Sequence, residues 1–395
     1  MTATMGQFLK RNGAYCLLAM TCVAGWLFKW HCGAGWNGAI QYVTGCYSDA
    51  VPFWGLRGVA SGQVPYLEAR MEYPVLTGTL IWAEGWVTRT LAGPGADAAD
   101  FLNVVAAVNA ALAFAVLGMM RRAGVDRLRQ YGWAAAPPLV LYLGHNWDML
   151  ARREQWTDAT ALAALGGAAK LFPLLMLPLL GLTALFHPGA TWPRRLLGAA
   201  TLVIVAVVAW GLVNLPFAMK AFTNWSEFYA FSQQRSGTAA SIWEIAAAQG
   251  WWSSDIATRN QAAFAVFAAG AALIVGLGWR RHGAQAWLLF TPLLAWFLLT
   301  NKVYSPQFDL WLFAPLLLTS RRLWPVAWFA LGDILAYFAE FWWFAGSEGA
   351  WPATTPTHIA IAAAIRGAAM LWIIVSAIRD PAPDRSILRA TAPPT

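Results

Sequence analysis

Apolar runs punctuated by arginine pairs constrain this chain more than any other feature. The runs recur from Gly13 to Ile378, and Arg121-Arg122, Arg194-Arg195, Arg280-Arg281 and Arg321-Arg322 lie at their ends. In hydrocarbon every backbone N–H and C=O must be bonded within its own segment, so such runs form helices. Of 395 residues, 59% are hydrophobic and only 12% charged, which implies an all-α polytopic membrane protein. The net charge of +8 does not imply nucleic acid as a partner. The arginines flank apolar runs as topology signals and form no basic stripe.

Lys10 and Arg11 precede the first span, Gly13 to Trp30, and put the N-terminus in the cytoplasm. Cys32 to Pro74 is then an outer loop, and Val75 to Leu91 reads as a helix in the outer interface. Nine further spans follow: Ala99 to Met120, Tyr131 to about Gly144, Ala159 to Phe186, Leu196 to Phe217, Gln261 to Leu277, Ala284 to Leu299, Phe308 to Thr319, Trp324 to Phe344 and Thr357 to Ile378. The expectation is about ten spans plus the interfacial helix, in one domain over 1–380 with an outer catalytic loop at 31–98. A Pro-rich cytoplasmic tail, 381–395, is expected to be disordered. Both termini then lie in the cytoplasm of a multi-pass plasma-membrane protein. Cys32 and Cys46 both face the oxidising side, where a disulfide is allowed but not required.

On this topology the polar residues collect outside. They are Asp49, Glu68, Arg70, Glu72, His145, Asp148, Asn224, Glu227, Arg235, Glu244, Lys302, Tyr304 and Gln307. One carboxylate with nearby cations suits transfer of a group from a lipid phosphate. The leaving phosphate departs already anionic and needs cations and donors, not a general acid. The attacking hydroxyl needs a single base. Five scattered histidines without an acid or cysteine cluster give no metal site.

Six motifs occur in order: Tyr47-Ser48-Asp49, Val64-Pro65-Tyr66, Glu72-Tyr73-Pro74-Val75-Leu76, Asn146-Trp147-Asp148, Ala169-Lys170-Leu171-Phe172-Pro173 and Lys302-Val303-Tyr304-Ser305-Pro306-Gln307. Together, over residues 13 to 320, they resemble glycosyltransferase family 87, whose members are polytopic GT-C enzymes. The resemblance implies a sugar moved from polyprenyl phosphate, commonly mannose or arabinofuranose, with inversion and without metal or cofactor. The acceptor would be an envelope glycolipid or polysaccharide, in an actinobacterial type of chain. It implies Asp49 as the catalytic base in the first outer loop. Candidate substrate-binding residues are Lys302, Tyr304, Gln307, Glu72, Tyr73, Asp148, Arg235, Lys170 and His145.

One departure from the family pattern matters. Trp147-Asp148 runs into Arg152-Arg153 within a few residues, so a span looks deleted. Counting crossings then makes Ala159 to Phe186 one kinked inward helix, with Lys170 inside the membrane. A cation there is costly unless it meets a wet cavity. The resemblance instead implies an outer-face turn at Lys170-Leu171-Phe172-Pro173, so either an unusual re-entrant segment exists or the protein is an impaired relative. Two other readings stay open: a lipid-linked sugar transporter or flippase, and a catalytically inactive relative. Each candidate also has a plainer reading, since Lys302 could snorkel at a span end and Asp49 could be a solvated loop acid.

Overall fold

The computed structural model describes residues 2–147 and 156–380. The expected tail, and with it Asp148, Arg152 and Arg153, lie outside the described residues. Among those described, the chain is helical and contains no strand. Helix α1 (Thr2–Trp30) leads into a loop carrying the short α2 (Ile40–Val43) and α3 (Ala50–Leu56). Then come α4 (Val75–Ala92), α5 (Ala98–Arg122), α6 (Arg127–Ala134), α7 (Pro137–Tyr142), α8 (Trp156–Ala169), α9 (Met176–Leu185) and α10 (Trp192–Lys220). The remainder is α11 (Phe222–Gln234), α12 (Ile242–Ala248), α13 (Ile256–His282), α14 (Phe290–Thr300), α15 (Asp309–Thr319), α16 (Trp324–Ser347) and α17 (Pro356–Arg379).

Among the described residues, five helices are long and apolar enough to cross a membrane: Asn12–Trp30, Ala98–Arg122, Trp192–Lys220, Ile256–His282 and Pro356–Arg379. Along α10, Val203, Ile204, Val207, Val208 and Leu212 are each more than half exposed. Water does not tolerate a patch of that kind. Lipid does, as around a helical membrane protein.

Two stretches differ from the sequence expectation. Tyr131 to Gly144 is not one helix, because α6 ends at Ala134 and α7 starts at Pro137. Ala136 is extended, as the residue before a proline prefers, and Pro137 and Pro138 have no N–H to continue the ladder. Ala159 to Phe186 is not one kinked helix either. The chain leaves α8 at Lys170, passes through the 3-10 turn Phe172–Leu175, and α9 then packs against α8 while both pack on α10. Gly167 leaves room for the Leu174 side chain in this return. Lys170 therefore sits at a turn between two helices.

The arginine-bearing helix ends gather at one end of the bundle. Arg281 donates to the Arg379 carbonyl, and His282 Nε2 lies 2.7 Å from the Ala377 carbonyl. Thr319 donates to Thr291 at 2.9 Å, and Phe186 packs on Trp279 with centroids 5.6 Å apart.

In the core, α15 lies against α16 and α7, and α16 and α17 pack along their length. Ionisable groups are buried there, paired across helices. Arg366 donates to Asp309 Oδ2 at 2.9 Å and lies 3.8 Å over the Tyr304 ring. Tyr304 donates to Asp309 Oδ1 and Tyr142 donates to Asp333.

Candidate functional site

The last turn of α1 anchors the loop that follows it. Lys29 is fully buried and donates to the carbonyls of Gly45 (2.9 Å) and Tyr47 (3.0 Å) and to the Tyr337 hydroxyl (2.6 Å). A disulfide joins Cys32 to Cys46, settling the open pairing. Asp49 follows at the start of α3, where its N–H donates to the His145 carbonyl at 2.8 Å. These three ties leave the carboxylate little freedom.

Two phenols hold that carboxylate. Tyr47 donates to Oδ1 at 3.0 Å and Tyr73 to Oδ2 at 2.7 Å. Burial pushes the Asp49 carboxyl above the usual carboxylate range. The two tyrosine bonds and the Lys170 charge pull it back, and the neighbouring Glu72 charge adds to the rise. Half-buried as it is, the Asp49 carboxylate holds a proton more readily than an ordinary aspartate.

Tyr73 is the hub. Lys170 Nζ lies 4.3 Å over its ring, a cation–π distance. Phe53 and Trp147 pack on the same ring, with centroids 5.5 Å away in each case. The Tyr66 hydroxyl donates at 2.8 Å to the carbonyls of both Tyr73 and Pro74. Tyr66 has φ 66°, a region that a bulky residue enters only when its surroundings compel it. Gly78 is what permits this, because any Cβ there would occupy the Tyr66 hydroxyl position. From the other side, Thr77 donates to the Ala169 carbonyl at 2.7 Å and ties the Lys170 turn to α4.

Glu72 pairs with Arg57 at 2.8 Å, and Arg57 lies 5.9 Å from the Phe53 ring centroid. Asp49, Glu72, Tyr73, Lys170 and His145 thus form one cluster, joined by Arg57, Lys29, Tyr47 and Tyr66. His145 is 3% exposed with Nδ1 3.4 Å from Lys29 Nζ. Burial, with the Lys29 charge, holds its pKa well below the usual value. Its imidazole lies under the loop, against Lys29 and the Tyr47 ring.

The remaining candidates fall elsewhere. Lys302 donates to the carbonyls of Gln233 (3.1 Å) and Arg235 (2.8 Å), closing the carbonyl end of α11 as a lysine does at a helix C-terminus. Burial, then Arg235 and Arg259, lower its pKa. Arg235 is partly exposed, and Arg259 is bonded to Glu244. Tyr304 turns inward, 3% exposed, with its hydroxyl on Asp309 and the Met370 sulfur. Gln307 is 8% exposed with Oε1 unpartnered. Phe172 stacks on Trp311 (4.5 Å), which stacks on Phe308 (4.0 Å), so the Lys170 and Lys302–Phe308 turns abut through rings. Asp148 lies outside the described residues.

Sequence reasoning missed Arg57 and Lys29. On the expected topology a lone lysine at the far end of the first span runs against the inside bias of cations, and that was the available signal for Lys29. Compared with known proteins, the chain matches no protein-family model and no curated protein.

Proposed function

We propose that the protein is a GT-C-type membrane glycosyltransferase of about ten spans, with α4 as an interfacial helix. It moves mannose or arabinofuranose from a polyprenyl-phosphate donor to an envelope glycolipid or polysaccharide at the outer face of the plasma membrane. The observation that carries this reading is the Asp49 carboxylate and the Lys170 ammonium meeting on one tyrosine, Tyr73. Asp49 takes the acceptor hydroxyl proton as that oxygen attacks the anomeric carbon. The bond from that carbon to the phosphate oxygen breaks with its electron pair, and polyprenyl phosphate departs. Lys170, with Arg57 of the same cluster, holds the charge that develops. A single in-line displacement inverts the anomeric carbon. Lys170 takes the part expected of Lys302 because it stands over Tyr73, whose hydroxyl holds Asp49.

A transporter or flippase of the lipid-linked sugar is the second reading. Asp309, Asp333, Glu340 and Arg366 favour it, each at most 3% exposed, because ionisable groups inside a bundle often mark a path.

Membranes containing wild type or Asp49→Asn, given radiolabelled polyprenyl-phosphate mannose or arabinofuranose and a lipid extract, separate these readings. Wild type should transfer label, and Asp49→Asn should lose it by about 10²-fold or more with donor binding kept. Full transfer by the variant would remove Asp49 as the base. No transfer by wild type, in an extract that supports a known enzyme, would favour the transporter or an inactive relative. Donor movement across sealed vesicles then tells those two apart.

A further inference from the structure

At the arginine-bearing end of the bundle, away from the Asp49 cluster, a pocket of about 330 Å³ opens between the α15–α16 turn and the last turns of α17. Arg321, Arg322 and Arg379 line it, all three exposed, and Asp380 is the acid among the lining residues. Helix α16 begins in its wall. Its N-cap Leu323 supplies no side-chain hydrogen bond, and Trp324 and Pro325 belong to the lining. The positive dipole end of a 24-residue helix therefore lies at the pocket, although Pro325 contributes no N–H there.

His282 adds an independent sign. It lines the pocket at 5% exposure, and its Nε2–H donates to the Ala377 carbonyl, which leaves Nδ1 as a buried acceptor without a partner, suited to a headgroup hydroxyl and not to a phosphate oxygen. A buried polar atom left unpartnered is costly. A topology signal accounts for arginines alone. It does not need a cavity, an uncapped helix start and an unpaired imidazole at one place.

We infer that this pocket binds the phosphate of an anionic membrane lipid headgroup. The choice of lipid over free phosphate rests on the walls. Ile373 and Val375 are part of the lining, and Trp324 and Trp372, 44% and 49% exposed with centroids 5.2 Å apart, stand beside the arginines. Exposed tryptophans mark the depth where hydrocarbon meets headgroups, and basic pockets between helices at that depth take anionic headgroups. The site is independent of the transferase reading.

The test is lipid binding to the purified full chain, read by native mass spectrometry and by melting temperature. Phosphatidylglycerol, phosphatidylcholine and inorganic phosphate are offered separately. Phosphatidylglycerol should bind and raise the melting temperature, and phosphatidylcholine should not. Arg321→Gln with Arg322→Gln and Arg379→Gln should weaken binding about tenfold or more. Arg321→Gln alone gives the same readout, smaller, should the triple variant fail to fold. Arg121→Gln with Arg122→Gln and Arg127→Gln removes equal charge elsewhere and should leave binding intact. Equal loss in both triple variants would mean diffuse charge attraction and overturn the pocket. Millimolar inorganic phosphate matching the lipid's effect would overturn the lipid as occupant.

Discussion

A carboxylate that accepts hydrogen bonds from two phenols is held in place at some expense to its basicity. Each bond stabilises the anion and opposes the effect of burial on Asp49. Removing the Tyr73 hydroxyl should therefore raise the Asp49 pKa further. In the role proposed for Asp49 a base works when deprotonated, so transfer should be present above that pKa and lost as pH falls through it. Tyr73→Phe should shift the acid limb of the pH–rate profile upward relative to wild type, and an unmoved limb would deny that Asp49 titrates there. Asp49, Glu72 and Tyr73 were legible in the sequence because one loop carries all three. Lys170 reaches them only through a tertiary return, and Arg57 through its pairing with Glu72, so neither position could be read from spacing.

Helix α16 runs so close to α17 that Gly332 faces the backbone of Arg366, and a Cβ there would strike main-chain atoms. Main chain cannot step aside as a side chain can. Gly332→Ala should lower stability by about 1–3 kcal/mol, read as an earlier thermal melt in detergent. Small residues at such crossings are how helices approach in membranes, but one glycine among 34 gives no hint of which helix it meets. Counting spans failed in the same way at Lys170. Charge and parity register crossings, and they do not register a helix that returns alongside its successor. The prolines were better guides, since Pro137-Pro138 and Pro173 stand at both observed breaks.

Across the whole molecule, the buried polar contacts bind distant parts of the chain into one body. Asp309 on α15 pairs with Arg366 on α17, Asp333 on α16 holds Tyr142 of α7, and Tyr337 on α16 meets Lys29 of α1. Arg366→Met would strand the Asp309 charge and should cost about 3–5 kcal/mol. Adding Asp309→Asn should return part of that loss in the same melting experiment. If the double variant is no better than the single, the pair is not what holds α15 to α17.

Helix lengths have a consequence for shape. At about 1.5 Å per residue, the 29 residues of α10 and 27 of α13 rise about 43 and 40 Å, more than the roughly 30 Å of hydrocarbon. Helices α9 and α15, of 10 and 11 residues, rise only about 15 and 17 Å from the same arginine-bearing end. The long helices therefore overshoot the hydrocarbon, and Phe217, in the last turn of α10, meets the Tyr66 ring with centroids 5.5 Å apart, beside the Tyr73–Lys170 contact. An amphiphile docked at that height would keep its tail in oil while its head is already in water.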